Sequence, residues 1–254
     1  MKLIVNADDF GYTRAVTYGI LDAFKNGIVT STTMMCNSPH IDLAVELAKQ
    51  NPKLGVGIHL VLTCGKPLCK DVFSLVQENG NFHHQSKIFS YATEEDIEKE
   101  FTAQIEKFYS TGLSPTHLDS HHNVHGNEVA LPIAIRLADK YGLPLRRANN
   151  DSKIDAFYGQ VLRTNLMLRE FYGDGVSNKT LEKQLLKVVE KEQTVEINCH
   201  PGYIDETLIR QSSYVQHRIQ ELELLTSVNI KEFVKKLNIK LISYKQLEIA
   251  KLSN

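Results

Sequence analysis

Several features that mark other protein classes are missing from this sequence of 254 residues. No apolar run approaches the roughly 20 residues that span a bilayer. The N-terminus lacks the basic-then-apolar pattern of a signal peptide, because Asp8 and Asp9 follow so early. A net charge of −1 gives no reason to expect nucleic acid or an anionic membrane as a partner. We therefore predict a cytoplasmic protein that binds neither nucleic acid nor membrane.

Paired cysteines and phosphate-binding loops are also missing. The four cysteines include no Cys-x-x-Cys pair, so free thiols in a reducing cytosol are the simplest account. A thiol nucleophile at Cys199 beside His200 is disfavoured, since adjacent strand residues point to opposite faces. No Gly-rich phosphate loop is present, which weakens a nucleotide-binding function. Without a repeat or a linker, one domain over residues 1–254 is the better prediction.

What the sequence does contain is an alternation of short apolar runs with helical segments. The predicted strands are residues 2–6, 29–36, 54–62, 115–119, 143–148, 194–199 and 239–244. The predicted helices are residues 15–26, 44–50, 93–110, 128–141, 153–172, 181–192, 212–226 and 230–237. Stretches at about 63–92 and 149–179 are predicted excursions, the first a lid or part of a cleft. The alternation indicates a parallel sheet, and at least seven units favour an α/β fold of the irregular (β/α) barrel type.

Polar side chains recur at one position relative to the predicted strands. Seven of them lie at or just after a strand's carboxyl end: Asp8, Asp9, His59, His121, Arg146, Arg147 and His200. The carboxyl ends of the strands form the catalytic face of a β/α barrel, so these residues would meet above one barrel mouth. Imidazole and carboxylate are metal ligands and acid–base groups. The pattern therefore predicts a metal-dependent catalytic site.

The densest group of such residues is the stretch 116–125, with four histidines in nine residues. If the stretch is extended, His117 and His121 share a face. If its second half is helical, His121 shares a face with His125. Both geometries bring His121 to the barrel mouth, so it is the predicted ligand. His125 is predicted as a ligand or substrate contact, and His122 is predicted to point away.

Each of these residues also has an ordinary structural interpretation. An aspartate after a strand is usually a turn former or a helix cap, and a histidine in an apolar run such as His59 is usually packed in the core. Arg146 and Arg147 could be solvated. One of them could instead orient Asp8 through bidentate hydrogen bonds, and the sequence leaves open which.

Five motifs, in the family's order, resemble the YdjC-like carbohydrate deacetylases, which include chitooligosaccharide deacetylases. The motifs are Val5-Asn-Ala-Asp-Asp-Phe-Gly11, Gly27-Ile-Val-Thr-Ser-Thr-Thr33, Gly57-Ile-His-Leu60, the stretch 116–125 and Cys199-His-Pro-Gly-Tyr203. The resemblance covers residues from about 3 to 205. Asn123 departs from it, since the family carries a third consecutive histidine there. The resemblance implies a barrel of the glycoside hydrolase/deacetylase type that removes N-acetyl groups from acetylated mono- or oligosaccharides.

The resemblance also implies a site with one divalent metal ion. By position it makes Asp9, His59 and His121 the metal ligands, and Asp8 or Asp9 the acid–base carboxylate. The family's metal is given as magnesium, which prefers oxygen ligands, whereas two histidines suit zinc better. Both ions therefore remain candidates.

A hydrolytic mechanism is consistent with these residues. Asp8 would accept the proton of the attacking water, and His200 would protonate the departing amine. His125, Arg146 and Tyr203 are the predicted substrate contacts. A metal-dependent phosphoesterase and a non-catalytic carbohydrate-binding relative remain alternatives. Oligomeric state is left open, with a homodimer as one possibility.

Overall fold

A parallel sheet is the centre of the fold in the computed structural model, which describes residues 1–191 and 193–247. Glu192, the predicted end of one helix, and residues 248–254 of the predicted domain lie outside the described residues. The strands are β1 (Lys2–Phe10), β2 (Ser31–Met34), β3 (Gly55–Leu60), β4 (Leu118–Ser120), β5 (Leu166–Leu168), β6 (Thr194–Cys199) and β7 (Lys240–Leu241). They lie in the order β4-β3-β2-β1-β6-β5, and β7 pairs with the start of β1. The first strand of the chain is thus central.

The two edges of this sheet meet through the segment around Leu145. Leu145 forms a parallel bridge to Leu118 of β4. Its N–H donates to the carbonyl oxygen of Leu162, 2.9 Å away and just before β5. The sheet therefore curves into an irregular barrel, and the predicted fold class is confirmed.

Helices surround the sheet and are α1 (Arg14–Asn26), α2 (Ile41–Gln50), α3 (Glu94–Ser110), α4 (Ala130–Tyr141), α5 (Ser152–Asp155), α6 (Asn178–Leu186), α7 (Glu206–Gln211), α8 (Gln216–Thr226) and α9 (Val228–Lys236). α1 and α3 each begin within one residue of the predicted start, where the side chains of Thr13 and Thr93 accept hydrogen bonds from backbone N–H groups of the first turn. Each helix within the described residues is too short or too polar to cross a membrane.

The core lies between the strands and the apolar helix faces. Leu3, Val5, Ile58 and Ile197 of the strands are fully buried there. Burying an aliphatic side chain of this size stabilises a fold by about 1.5–3 kcal/mol. The polar residues described below therefore lie on a rigid platform.

The predicted strand at residues 143–148 is wrong, because only the bridge at Leu145 joins the sheet. Pro144 has no N–H to donate to a neighbouring strand. The side chain of Arg146 is buried among carboxylates and does not take part in apolar packing. Within the described residues, the bridge between Leu145 and Leu118 is therefore the whole of the strand pairing that this segment makes with β4.

The predicted helix at residues 153–172 is also wrong. It is reduced to α5 and one 3-10 turn, which ends at Gly159. Gly159 has a φ of 53°, in the left-handed region that ends a helix. The chain then forms β5, so the segment 149–179 contributes a strand that pairs with β6.

Candidate functional site

The aspartates at the end of β1 both face one cleft because the strand is irregular there. Successive residues of a regular strand point to opposite faces. The register between β1 and β2 shifts between Ala7 and Phe10, and Asp9 has a φ of 74°. A left-handed backbone costs about 1–2 kcal/mol for most residues and is tolerated best by Asn and Asp. This conformation brings Asp8 and Asp9 to the same cleft.

The cleft has a volume of about 630 Å³ and opens at the carboxyl ends of the strands. Six of the predicted site residues line it: Asp8, Asp9, His59, His121, Arg146 and His200. The predicted excursion at residues 63–92 contributes Thr63, Cys64, His84 and Gln85 to the lining. The strand-end rule thus brought residues from five separate segments together.

Asp9, His59 and His121 form a group that could hold one metal ion. Oδ1 of Asp9 lies 3.2 Å from Nε2 of His59 and 2.9 Å from Nδ1 of His121. The three residues are buried, and their ligand atoms lie within 4.8 Å of one another. Nδ1 of His59 lies 2.7 Å from Oδ1 of Asp119, and a histidine that binds a metal usually gives its other N–H to such a partner. This arrangement fits a divalent ion.

A second group, Asp8, His59 and Asp119, also meets the distance criterion. Both of its carboxylates already pair with Arg146, which lies 2.7 Å from Oδ1 of Asp8 and 2.7 Å from Oδ2 of Asp119. Arg146 takes both oxygens of Asp8, whereas Asp9 pairs with Arg218 through Oδ2 alone and keeps Oδ1 beside the two imidazoles. The group around Asp9 is therefore the better candidate metal site.

The charge of the buried residues also favours a cation. Within the described part of the chain, five buried carboxylates lie in or under the cleft: Asp8, Asp9, Asp119, Glu196 and Glu221. The buried guanidinium groups that form ion pairs with them belong to Arg146 and Arg218. Burying a charge without a partner costs free energy, so the excess negative charge of these carboxylates favours protonated histidines or a bound cation nearby.

Arg146 resolves the alternative that the sequence left open. Its Nη1 and Nη2 atoms each donate to a different oxygen of Asp8, at 2.7 Å and 2.7 Å. Arg147 pairs instead with Asp155, away from the cleft. Burial alone would raise the pKa of Asp8, but Arg146 holds that pKa well below its usual range. Asp8 is therefore ionised throughout the neutral range.

His200 lies beside Asp8, with its Nε2 atom 3.8 Å from Oδ2 of the carboxylate. The backbone N–H of His200 donates to Glu221, and its Nδ1 atom lies 3.8 Å from the same side chain. Burial alone would lower the pKa of His200, but Glu221 and Asp8 raise it. The imidazolium form is favoured, so His200 can supply a proton in the cleft.

The prediction that His122 points away is wrong, because His122 lines the cleft. His122 and Asn123 have φ values of 54° and 53°, so the stretch after β4 is neither extended nor regularly helical. Nδ1 of His122 lies 2.9 Å from Oγ1 of Thr63. Burial and the neighbouring His121 lower the pKa of His122 to about 3, which keeps the ring neutral.

The structure does not bring His125 or Tyr203 into the cleft, judged by its described lining residues. His125 is fully buried, with Nε2 3.2 Å from the carbonyl oxygen of Arg146 and Nδ1 2.5 Å from Oγ of Ser120. The hydroxyl of Tyr203 donates to Asp22 of α1. Both side chains support the scaffold.

Sequence reasoning missed Arg218, a buried residue of α8 that lines the cleft. Its Nη2 atom donates to Oδ2 of Asp9 at 2.6 Å, which leaves the other oxygen of Asp9 towards the histidines. Nη1 of Arg218 has no hydrogen-bond partner within the described residues. An arginine among the many charged residues of a surface helix gives no sequence signal that it is buried.

Several known proteins are similar to this chain. The sequence model of the family described as YdjC-like protein matches residues 2–236. A carbohydrate deacetylase of Geobacillus stearothermophilus is 45% identical over 248 residues, which are 96% of this chain and 96% of the relative.

Two solved structures are similar to this one. A protein of Enterococcus faecalis V583, provisionally named a cellobiose-phosphate cleavage protein, is 44% identical with a TM-score of 0.93, and the match covers 98% of this chain and 99% of the other. A lactam utilization protein of Thermus thermophilus is 12% identical with a TM-score of 0.57, over 96% of this chain and 100% of the other. The second likeness concerns the fold alone.

Proposed function

The chain belongs to the YdjC-like family, and from that premise we propose that it is a metal-dependent carbohydrate deacetylase. Its substrates are N-acetylated sugars such as N-acetylated chitooligosaccharides, and its products are acetate and the free amine. One observation carries the proposal. Oδ2 of the base candidate Asp8 lies 3.8 Å from Nε2 of the acid candidate His200, and both residues line the cleft beside the ligand group of Asp9, His59 and His121.

The ligand group suits a divalent cation, because it offers two imidazoles and one carboxylate. A cation held there would polarise the acetyl carbonyl and acidify the attacking water, which helps a base as weak as Asp8. Asp119 orients His59, and Arg218 orients Asp9, so the ligands are preorganised. Magnesium follows from family resemblance and zinc from the two imidazoles, and both remain candidates.

Asp8 and His200 divide the proton transfers between them. Asp8 accepts a proton from the water that attacks the acetyl carbonyl, and Arg146 fixes the orientation of its carboxylate. His200 donates a proton to the nitrogen that leaves with the sugar. The lowered pKa of Asp8 and the raised pKa of His200 keep each group in the required form near neutral pH.

The test is acetate release from N,N′-diacetylchitobiose, with and without prior removal of metal by a chelator. Asp8→Asn and His200→Ala should each lower kcat by about 10²–10⁴-fold, the usual contribution of general acid–base catalysis. Asp139→Asn, on the exposed side of α4, is the matched control and should keep full activity. Full acetate release by both site variants in the presence of metal would refute the assigned roles.

A metal-dependent phosphoesterase is the second candidate, and Arg169 favours it. Arg169 lines the cleft and donates to the carbonyl oxygens of Arg147 and Ala148, which leaves its charge available to an anion. The name of the Enterococcus faecalis relative also mentions a sugar phosphate. Phosphate release from cellobiose phosphate without acetate release from any acetylated sugar would favour this candidate. Sugar binding without either product would indicate a non-catalytic relative.

A further inference from the structure

Three stacked rings stand beside His200 in the cleft wall. Tyr172 stacks on Tyr214 with ring centroids 4.6 Å apart and an angle of 7°, and Tyr214 stacks on His217 at 4.9 Å. His200 meets both tyrosine rings edge-on, at 5.4 Å and 5.5 Å. Tyr172 and Tyr214 line the cleft. We call these three rings the tyrosine stack.

Hydrogen bonds hold the tyrosine stack in place. The N–H of Gly173 donates to the hydroxyl of Tyr214 at 3.0 Å, and that hydroxyl donates to Glu221 at 2.5 Å. A side chain at Gly175 would collide with the backbone carbonyl oxygen of Glu170, so the loop after Tyr172 is closely packed. The ring of Tyr172 is therefore presented in a defined orientation.

Tyr172 offers a flat apolar surface in a polar cleft. The residue is 54% exposed although one face of its ring rests on Tyr214. Most of the other residues that line the cleft carry charged or hydrogen-bonding groups. A pyranose ring has hydroxyl groups around its edge and C–H groups on its faces, so one face can pack on an aromatic ring while the edge bonds to polar groups.

The position of His200 gives the direction of the sugar. The acetyl group belongs near the ligand group of Asp9, and the nitrogen that His200 protonates stays with the sugar. Tyr172 packs edge-on against His200 with ring centroids 5.4 Å apart, so the sugar ring that carries this nitrogen has the tyrosine stack as a neighbour.

We propose that Tyr172 is a sugar-binding residue on which a pyranose ring of the acetylated substrate packs. This proposal rests on the proposed deacetylase function and deepens it, because it makes the enzyme selective for amides borne by a sugar ring. Tyr214 and His217 support the ring of Tyr172 from behind. Tyr172 takes no part in the proton transfers, so its removal affects binding more than chemistry.

The experiment measures binding of N,N′-diacetylchitobiose by calorimetry, in metal-loaded protein that carries Asp8→Asn to prevent turnover. Adding Tyr172→Ala should raise the Kd about tenfold, which corresponds to the free energy of one good aromatic contact. Tyr172→Phe, which keeps the ring, should stay within about twofold. The matched control is Phe73→Ala, which removes a ring that is 78% exposed and outside the cleft lining, and it should leave the Kd unchanged.

Steady-state kinetics separate sugar binding from other roles of the Tyr172 ring. With Asp8 intact, Tyr172→Ala should raise the KM for N,N′-diacetylchitobiose about tenfold with little change in kcat. A fall in kcat at constant KM would mean that the ring only shields His200, and would overturn the proposal, as would an unchanged Kd. If Tyr172→Ala fails to fold, Tyr172→Leu decides by the same criteria, because leucine keeps apolar volume without a flat face.

Failure of the proposed function gives a different pattern. In that case the metal-loaded wild-type protein releases no acetate from any acetylated sugar, while the Kd for N,N′-diacetylchitobiose still depends on the ring of Tyr172. If wild-type protein releases acetate and Tyr172→Ala leaves the Kd for N,N′-diacetylchitobiose unchanged, the deacetylase function stands and the sugar-binding role of Tyr172 is overturned.

Discussion

Replacing Arg146 with methionine tests the charge cluster under the cleft. Arg146 is buried and pairs with three buried carboxylates, Asp8, Asp119 and Glu196, each at 2.7 Å. Methionine conserves much of the volume and removes the charge. Removing one partner of a buried ion pair costs about 3–5 kcal/mol, because the remaining charge stays buried without compensation. At about 2–4 °C per kcal/mol for a chain of this size, the melting temperature should fall by roughly 6–20 °C.

The sign of the pH dependence is a sharper test. In the wild-type protein the pKa of Asp8 is lowered, so the stability it contributes is present above its unfolded pKa and is lost only as pH falls through the still lower folded pKa. Between about pH 8 and about pH 5.5 that contribution is constant. Without Arg146, burial dominates and raises the pKa of the carboxylates above the unfolded value. The melting temperature of the variant should therefore rise towards wild type on acidification through this range.

The assay is thermal unfolding followed by circular dichroism at several pH values. Arg136→Met is the matched control, since Arg136 pairs with Glu98 on the surface and both side chains are about half exposed. That pair should contribute no more than about 1 kcal/mol. A melting temperature of Arg146→Met within about 2 °C of wild type near pH 7.5 would refute the charge argument. So would a variant that loses stability on acidification.

Three further outcomes follow from the site and its support. Asp119→Asn weakens the orientation of His59, so the affinity for a divalent ion should fall about 10–100-fold in a calorimetric titration, and an unchanged affinity would place the metal elsewhere. Glu221→Gln removes a charge that raises the pKa of His200, so the alkaline limb of the kcat/KM profile should move to lower pH, whereas an unmoved limb would show that His200 is not the acid. Gly57→Ala would place a Cβ atom 2.5 Å from the ring of His117 and 2.7 Å from the carbonyl oxygen of the same residue, and should destabilise the fold by about 1–3 kcal/mol in a denaturant titration; an unchanged free energy of unfolding would contradict this close packing.

The elements that could be predicted from the sequence are those with local signals at both ends. α1 begins at Arg14, beside the cap Thr13, and ends at Asn26 before Gly27, within one residue of the predicted bounds. β6 has the predicted bounds, because its apolar run is bordered by polar residues and Pro201. β5 was missed, since its three residues form a strand only through pairing with β6. Such tertiary pairing leaves no periodic pattern in so short a segment.

The candidate site was predictable in its outline, because parallel strands end at one edge of the barrel. That rule alone placed His59 and His200 in the same cleft. It failed for Arg147, which pairs with Asp155 away from the cleft. The position of His125, which was predicted from the possible geometries of the stretch 116–125, depends on left-handed backbone at His122 and Asn123 that has no signal in the local sequence. The partners of the site were hardest to predict. Arg218 reaches Asp9 from 209 positions away in sequence, through the docking of a helix.

The central place of β1 has a consequence for how the chain is made. β1 is synthesised well before its partner β6, which ends at Cys199, so one edge of an apolar strand stays unpaired until that residue has been made. Unpaired apolar edges invite aggregation. Lys2 stands before this run, and Asp8 and Asp9 follow it, and charges in such flanking positions discourage association between nascent chains. Asp8 and Asp9, the proposed base and metal ligand, thus also protect β1 from aggregation until β6 has been synthesised.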